Sequence, residues 1–178
     1  MQPPAGRKFD VAEKVPMAAA AQSHIENDPG TSALVAHVTD ALSRGELRVA
    51  LKALNRAAGL RFTAVYRFDG ETLKSLALFD RDAIGVQIWP DVPVRDSYCT
   101  FLRRQLVFVT EDAEYDPAVA GHPKQGVVFS YCGAALRGPD GTPWGSICHF
   151  DYVPHTVSPA DVAVLEQVAP AFYSALSR

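Results

Sequence analysis

Three cysteines are the side chains of this sequence best suited to nucleophilic or redox chemistry, and their settings differ. Cys99 follows Asp96 and Ser97, residue types that begin helices, so it falls in a predicted first helical turn. The partial positive charge at a helix N-terminus lowers a thiol pKa, although the Asp96 carboxylate opposes this effect. Cys132 and Cys148 lie instead in apolar stretches. We therefore predict that Cys99 is the reactive thiol and that it alkylates before the other two.

Cys132 and Cys148 have two interpretations. Free cysteine often serves as a small apolar side chain in a protein core. The alternative is a redox-active or ligand-sensing pair of thiols that faces a cavity. Directly opposed strand positions place their Cβ atoms about 4.5–5.5 Å apart, slightly long for an unstrained disulfide. That geometry favours the apolar interpretation, and the interpretation as a pair of sensing thiols remains the alternative.

The histidines give little support for a metal or haem site. Cys148 and His149 are adjacent, and adjacent strand residues point to opposite faces, so the two cannot ligate one ion together. No pair of cysteines or histidines has the spacing of a zinc site. A haem needs one axial side chain, for which His122 or His149 would serve. We expect no metal and no other cofactor, with haem as the alternative.

The two later cysteines lie in a predicted β-hairpin. Residues 130–137 and 144–151 are apolar runs of strand length, and the Pro-Asp-Gly sequence at residues 139–141 is typical of a turn. A three-residue loop there would place Cys132 opposite Cys148 on one face of the hairpin. Neither face is polar, so we expect both faces to be covered by other elements. A hairpin that is buried on both sides is a suitable scaffold for a pocket.

The remaining elements surround this hairpin. Residues 80–126 are rich in proline and glycine, and so much irregular chain inside one domain is typical of binding loops. Hydrophobic periodicity and turn residues predict the other elements. These are helices that begin near Thr31 and that cover residues 46–58 and 158–176, strands over residues 62–68, 73–79 and 106–110, and a short helix over residues 97–105.

Composition restricts the functional classes. The chain has 178 residues, 48% of them hydrophobic and 21% charged, with a net charge of −3, which are ordinary values for a soluble domain. There is no basic run and no apolar stretch of about 18 residues, so we expect neither a nucleic-acid partner nor a membrane segment. Three cysteines without regular spacing favour a cytoplasmic location. The proline-rich residues 1–30 are predicted to form a flexible tail before a domain over residues 31–178.

The order of these elements and several sequence stretches resemble the GAF domain family of small-molecule sensors. The stretches are TAVYRFDG (63–70), DSYCTFLRRQLVFVTEDAEYDP (96–117), YCGAAL (131–136) with DGTPWGSICHFD (140–151), and DVAVLEQVA (161–169). The resemblance covers about residues 33–178. It implies an α+β fold with a six-stranded antiparallel sheet, terminal helices on one face and pocket-forming loops on the other. The ligand-binding residues that it implies are Trp89, Tyr98, Cys99, Phe101 and His122 from the loops, and Ser130, Cys132, Cys148 and Phe150 from the sheet.

One GAF-type branch is enzymatic and reduces free methionine sulfoxide with loop cysteines. This sequence departs from that branch, because the position of the attacking cysteine carries Gln125 and the carboxylate positions carry Cys132, Cys148 and Phe150. We therefore expect a sensor that binds an unknown small molecule rather than an enzyme. The resemblance further implies a homodimer through the terminal helices and a downstream signalling partner. The alternatives are a thiol-dependent reductase of that branch, a redox or haem sensor, and an interaction module without a working pocket.

Overall fold

The computed structural model describes residues 28–83, 86–87 and 89–178. The predicted tail, residues 1–30, lies outside these ranges except for its last three residues. Pro29 and Gly30 belong to the first helix, and the Asp28 carboxylate caps that helix by accepting a hydrogen bond of 3.0 Å from the Thr31 amide. Proline suits this position because its fixed φ matches a first helical turn.

The centre of the fold is one antiparallel sheet. Its strands are β1 Phe62–Asp69, β2 Thr72–Asp80, β3 Val86–Gln87, β4 Val92–Pro93, β5 Val107–Thr110, β6 Ser130–Arg137 and β7 Pro143–Asp151. Six of them follow the order β3-β2-β1-β7-β6-β5, and β4 pairs with β2 beside this path. The predicted α+β fold with a six-stranded antiparallel sheet is confirmed. Strands β3 and β4 were not predicted, because two residues are too few for any periodicity.

The long hairpin of β6 and β7 contains a β-bulge close to its turn. The turn itself has the predicted register, since the Gly138 amide donates to the Thr142 carbonyl at 2.9 Å. The pairing then shifts between Leu136 and Arg137, and Trp144 is the extra residue on β7. A bulge of this kind displaces every later pair by one residue.

The bulge reverses the predicted relation between the hairpin cysteines. Cys132 pairs with His149, and Cys148 pairs with Gly133. The predicted opposition of Cys132 and Cys148 is therefore wrong, and the two side chains belong to opposite faces of the sheet. Turn chemistry determined the register only as far as the first irregularity, and a slip of one residue changes the face of every side chain.

In the described part of the chain, three helices cover one face of the sheet. They are α1 Pro29–Ser43, α2 Leu47–Ala57 and α3 Pro159–Leu176. Helix α3 begins with a capping box, in which the Ser158 hydroxyl accepts from the Asp161 amide at 3.1 Å and the Asp161 carboxylate accepts from the Ser158 amide at 3.0 Å. The predicted helices over residues 46–58 and 158–176 thus lie on one side of the sheet, and α1 packs against both.

The buried residues on this side form one mostly aliphatic cluster. Leu51 and Leu54 of α2, Leu165 and Phe172 of α3 and Ile147 of β7 belong to it, and each is at most 1% exposed. The helical periodicity of the sequence placed these apolar side chains on one face of each helix. The burial of apolar side chains such as these is the main stabilising contribution to such a fold.

Loops and short 3-10 helices cover the opposite face. The predicted helix over residues 97–105 is a 3-10 helix, Tyr98–Arg103, whose N-cap Ser97 accepts a hydrogen bond from the Cys99 amide at 3.3 Å. Two shorter 3-10 turns, Val94–Asp96 and Pro117–Val119, lie in the same loop layer. Within the described ranges, none of the helices has both the length and the apolar character needed to cross a membrane.

Candidate functional site

A cavity of about 120 Å³ lies between the sheet and the loop layer. Its floor comes from β1, β2 and β7 with Tyr131 of β6, and its roof comes from the loop residues 89–99 and 124–128. Most of the lining is aromatic or aliphatic. The lining residues are Tyr66, Leu73, Trp89, Pro90, Val92, Asp96, Ser97, Tyr98, Cys99, Lys124, Val127, Val128, Tyr131, Cys148, Phe150 and Tyr152.

The structure brings five of the nine predicted site residues to this cavity. The five are Trp89, Tyr98, Cys99, Cys148 and Phe150. Phe101 and His122 are not among the lining residues, although both belong to the loop layer above it. The ring of Phe101 stacks on Phe108 at 4.2 Å, and the ring of His122 lies 4.7 Å from that of Tyr98. These two side chains therefore support the roof rather than face the cavity.

Ser130 and Cys132 lie away from the cavity. Cys132 belongs to the aliphatic cluster under the helices, so its predicted place on the pocket floor is wrong. Ser130 is buried, and its hydroxyl donates to the Val153 carbonyl at 2.9 Å. The cause is the bulge in the hairpin, because the slip of one residue brings Tyr131 to the floor instead of Cys132.

Cys99 lies at the centre of a buried polar cluster. Its sulfur and the Tyr131 hydroxyl are hydrogen-bonded at 3.3 Å, and the Ser146 hydroxyl donates to the same sulfur at 3.3 Å. Burial raises the pKa of Cys99, but hydrogen bonds from the side chains of Cys148, Ser146, Ser97 and Tyr131 outweigh it and lower the pKa to about 6. The predicted lowering of the Cys99 pKa therefore comes from hydrogen-bonding side chains and not from the helix N-terminus alone.

Cys148 and Tyr131 are the proton-bearing partners in this cluster. Burial, followed by the neighbouring Cys99, raises the pKa of Cys148 above its usual value, and the pKa of Tyr131 is raised for the same two reasons. A glycine makes room for the tyrosine, because a Cβ atom on Gly133 would lie 2.7 Å from Cζ of Tyr131. The result is one thiol that is readily deprotonated beside a second thiol that keeps its proton.

Aromatic rings form one wall of the cavity. Trp89 meets Phe150 edge to face at 6.0 Å, and Phe150 meets Tyr152 in the same way at 6.4 Å. Phe62, behind them, stacks on Phe150 at 4.8 Å. Such mutually packed rings hold one another in place, so this wall is a preformed apolar surface.

Two charged residues line the cavity within the described part of the chain. Asp96, whose side chain is 37% exposed, comes from the roof, and the half-buried Lys124 comes from the adjoining loop. A cavity with an aromatic wall, a thiol cluster and a few charged groups has the composition of a small-molecule site. No group of three or more potential metal ligands occurs among residues 28–83, 86–87 and 89–178.

A second, more open groove of about 420 Å³ lies at the other end of the hairpin. Its charged residues are Arg137 and Glu166. The two terminal nitrogens of Arg137 are used within the protein, since Nη1 donates to the Gly141 carbonyl at 2.7 Å and Nη2 to the Gln105 carbonyl at 3.2 Å. The groove is larger than the cavity, but it lacks converging polar groups, so the cavity is the stronger candidate.

Sequence reasoning missed several residues of the cavity. Tyr131 lies between Ser130 and Cys132, so placing those two residues on the floor puts Tyr131 on the opposite face, and Tyr66 falls within a predicted strand without a role of its own. Tyr152 and Lys124 lie in loops whose path no periodicity reveals. One signal was present: Gly133 is a glycine inside a strand, which often marks the close approach of another group.

Comparison with known proteins gives the fold a name. No family model matches the sequence, and no curated protein matches it. A solved structure of the GAF domain from Acinetobacter phosphoenolpyruvate-protein phosphotransferase matches 84% of this chain and 94% of its own, at a TM-score of 0.68 and 11% sequence identity. The fold is that of a GAF domain.

Two other solved structures show the breadth of this similarity. The chromophore-binding domain of Stigmatella aurantiaca phytochrome P1 is 14% identical, with a TM-score of 0.67 over 86% of this chain and 62% of that one. The free methionine-R-sulfoxide reductase of Neisseria meningitidis, solved with its substrate, is 17% identical, with a TM-score of 0.58 over 94% and 95%. Identities this low establish the GAF fold alone.

Proposed function

We propose that this GAF-fold protein is a sensory domain that binds a small organic molecule in the cavity between the sheet and the loop layer. One observation carries the proposal: the loop side of the sheet encloses about 120 Å³ between packed aromatic rings and a buried thiol cluster. A folded core normally fills such space, because close packing stabilises it.

The size and lining of the cavity limit the ligand. Apolar cavities of roughly 150 Å³ accommodate benzene, so without rearrangement this one suits a molecule of about that size. Trp89 and Phe150 offer ring surfaces for stacking or for a cation. Asp96 and Lys124 offer one charge of each sign. A small aromatic or amine-bearing molecule fits this set of groups best.

Native mass spectrometry of the purified protein tests for a ligand that is carried through purification. A thermal-shift screen of small aromatic and amine compounds follows, since a ligand at 100 times its dissociation constant stabilises by about 2.7 kcal/mol. Phe150→Leu should abolish the shift caused by a binding compound. Phe172→Leu, the same change in the helix-side cluster, should lower the melting temperature but leave the shift intact. Equal loss of the shift in both variants would contradict the assignment of the ligand site to the cavity.

The alternative function is a thiol-dependent reductase, and the lowered pKa of Cys99 favours it. Gln125, at the position of the attacking cysteine, counts against it. Its side chain has a structural use, since it accepts from the Gly121 amide at 2.8 Å and donates to the Ala113 carbonyl at 3.1 Å. Turnover of free methionine sulfoxide with a thiol reductant, lost in Cys99→Ser, would replace the sensor proposal.

We propose that this domain transmits ligand binding to another protein molecule. The homodimer through the terminal helices, the cytoplasmic location and the downstream signalling partner stay predictions. The helices α1 and α3 pack against each other on the side opposite the cavity, so a surface formed by them would be separated from the ligand by the sheet. Sedimentation velocity with and without a binding compound measures whether assembly responds to the ligand.

A further inference from the structure

We propose that Cys99 and Cys148 are a hydroperoxide-reactive thiol pair that forms a disulfide between the roof and the floor of the cavity. Nothing in the ligand-binding proposal requires this chemistry, so the two proposals stand or fall separately. Cys99 lies in the 3-10 helix Tyr98–Arg103 of the loop layer, and Cys148 lies in β7 of the sheet. Both line the cavity.

The hydrogen bonds around the Cys99 sulfur suit a nucleophile. The Ser146 and Tyr131 hydroxyls each lie 3.3 Å from that sulfur. Two groups able to donate a hydrogen bond therefore contact one buried sulfur atom. Donors in that number stabilise a negative charge on sulfur, which is the form that attacks a peroxide.

The neighbouring Cys148 suits the resolving role. Its burial and the proximity of Cys99 keep it protonated, so it is present as a thiol beside the attacking sulfur. Because both thiols line the same cavity and each shifts the pKa of the other, the second step joins two neighbouring groups. The third cysteine, Cys132, lies in the helix-side cluster and does not line the cavity, which makes it a matched internal control.

The cavity gives a small oxidant access to the pair. Cys99 and Cys148 are at most 1% exposed, so a bulky reagent in solution does not reach them directly. Hydrogen peroxide is close to water in size, and a water molecule occupies about 30 Å³ in the liquid. The cavity of about 120 Å³ that both thiols line admits such a molecule.

The reaction balances with hydrogen peroxide as oxidant. The Cys99 thiolate attacks one peroxide oxygen, the O–O bond breaks, and Cys99 becomes a sulfenic acid while hydroxide leaves. The Cys148 sulfur then attacks the Cys99 sulfur, the S–O bond breaks, and the hydroxyl group takes the Cys148 proton to leave as water. The two thiols lose two electrons in total, which reduce the peroxide. An S–S bond of about 2.05 Å then draws the roof helix toward β7 and narrows the cavity.

The decisive experiment treats the folded protein with hydrogen peroxide, blocks free thiols after denaturation, and maps peptides by mass spectrometry. We expect a monomer that has lost the mass of two hydrogen atoms and contains one linked peptide pair, Cys99 with Cys148. Cys132→Ser should give the same product. In Cys148→Ser, dimedone added as the protein is denatured should trap a sulfenic acid on Cys99, and in Cys99→Ser the intramolecular link should be absent.

A second variant separates chemistry from folding. Tyr131→Phe removes a hydrogen-bonding hydroxyl from Cys99 and should slow its oxidation several-fold, while the melting temperature reports whether the domain is still folded. The peptide map of the unaltered chain needs no variant, so it decides the matter even where a substitution fails to fold. A link that includes Cys132, a purely intermolecular link, or three free thiols after peroxide treatment would overturn the proposal.

Discussion

The two faces of the sheet are buried to similar degrees but have opposite chemical character. Under the helices, the buried cluster is mostly aliphatic and includes Leu54 and Cys132. Under the loops, the buried cluster is rich in aromatic residues and includes Tyr98, Cys99 and Cys148 around a cavity. Burying hydroxyls and thiols costs free energy unless they are hydrogen-bonded, and unfilled space in a core lowers the stability further. The helix side therefore stabilises the fold, and the loop side keeps the features of a binding site.

The cysteines show this difference in one residue type. Cys99 and Cys132 are both 0% exposed. Burial, with the distant charges of Asp161 and Glu166, raises the pKa of Cys132 to about 12. The hydrogen bonds from the loop-side cluster instead lower the pKa of Cys99 to about 6. Equal burial is thus accompanied by opposite pKa shifts, and the surroundings of each thiol decide the direction.

The largest expected effect is on the helix side. Leu54→Asp places a carboxylate at a position that is 1% exposed, and we expect the loss of about 4 kcal/mol or more in the free energy of unfolding. Urea denaturation followed by circular dichroism measures it. Val49→Asp is the matched control, because Val49 is on the same helix and is 41% exposed, and it should cost less than about 0.5 kcal/mol. A Leu54→Asp protein as stable as the control would contradict the assignment of the core.

The next effect is a pH dependence of stability that also arises on the helix side. His149 is 2% exposed, and its Nδ1 is hydrogen-bonded at 2.8 Å to the Thr63 hydroxyl, to which the Asn55 amide donates at 3.0 Å. Burial lowers the pKa of His149 from 6.5 to about 4. Asp161 opposes this lowering and Arg81 adds to it, both to a smaller extent. The unfolded chain therefore binds a proton at a pH where the folded protein does not.

The sign of the effect follows from this difference. The contribution of His149 to stability is complete above pH 6.5, falls as the pH drops toward 4, and is lost below that value. The free energy of unfolding changes by about 3 kcal/mol over this range. Chemical denaturation at a series of pH values measures it. His149→Gln should flatten this part of the profile, and His37→Gln, at an exposed position on α1, should leave it unchanged. An unaltered profile in His149→Gln would show that another group is responsible.

A smaller effect is expected on the loop side, at the glycine beneath Tyr131. Gly133→Ala pushes a methyl group against that ring and should cost about 1–3 kcal/mol, because the tyrosine must leave its position beside Cys99. Gly59→Ala is the control, since a Cβ atom there meets nothing within 4 Å. Thermal unfolding and the rate of Cys99 alkylation measure the two consequences. Equal behaviour of both variants would mean that the Tyr131 ring is not held over Gly133.

The sequence predicted the helices, the long strands and the general position of the pocket, because these depend on periodicity and on turn residues. It did not predict the bulge at Trp144, since a single inserted residue leaves both strands with the same apolar pattern. That one residue accounts for the misplaced Cys132 and for the omission of Tyr131. The predicted lowering of the Cys99 pKa has the right direction, but the hydroxyls that contribute to it come from strands distant in sequence, which no local pattern reveals.

Ligand binding on the loop side of the sheet can be followed with the two tryptophans of the chain. Trp89 lines the cavity, and Trp144 lies on the helix side, edge to face with Tyr173 at 5.8 Å. Trp144→Phe leaves Trp89 as the single tryptophan, and Trp89→Phe leaves Trp144, so excitation near the red edge of tryptophan absorption reports on one site at a time. We expect titration with the small aromatic compounds of the thermal-shift screen to change the emission of Trp89 and to leave that of Trp144 unchanged. A response from Trp144 alone, or from neither tryptophan across the library, would contradict the account.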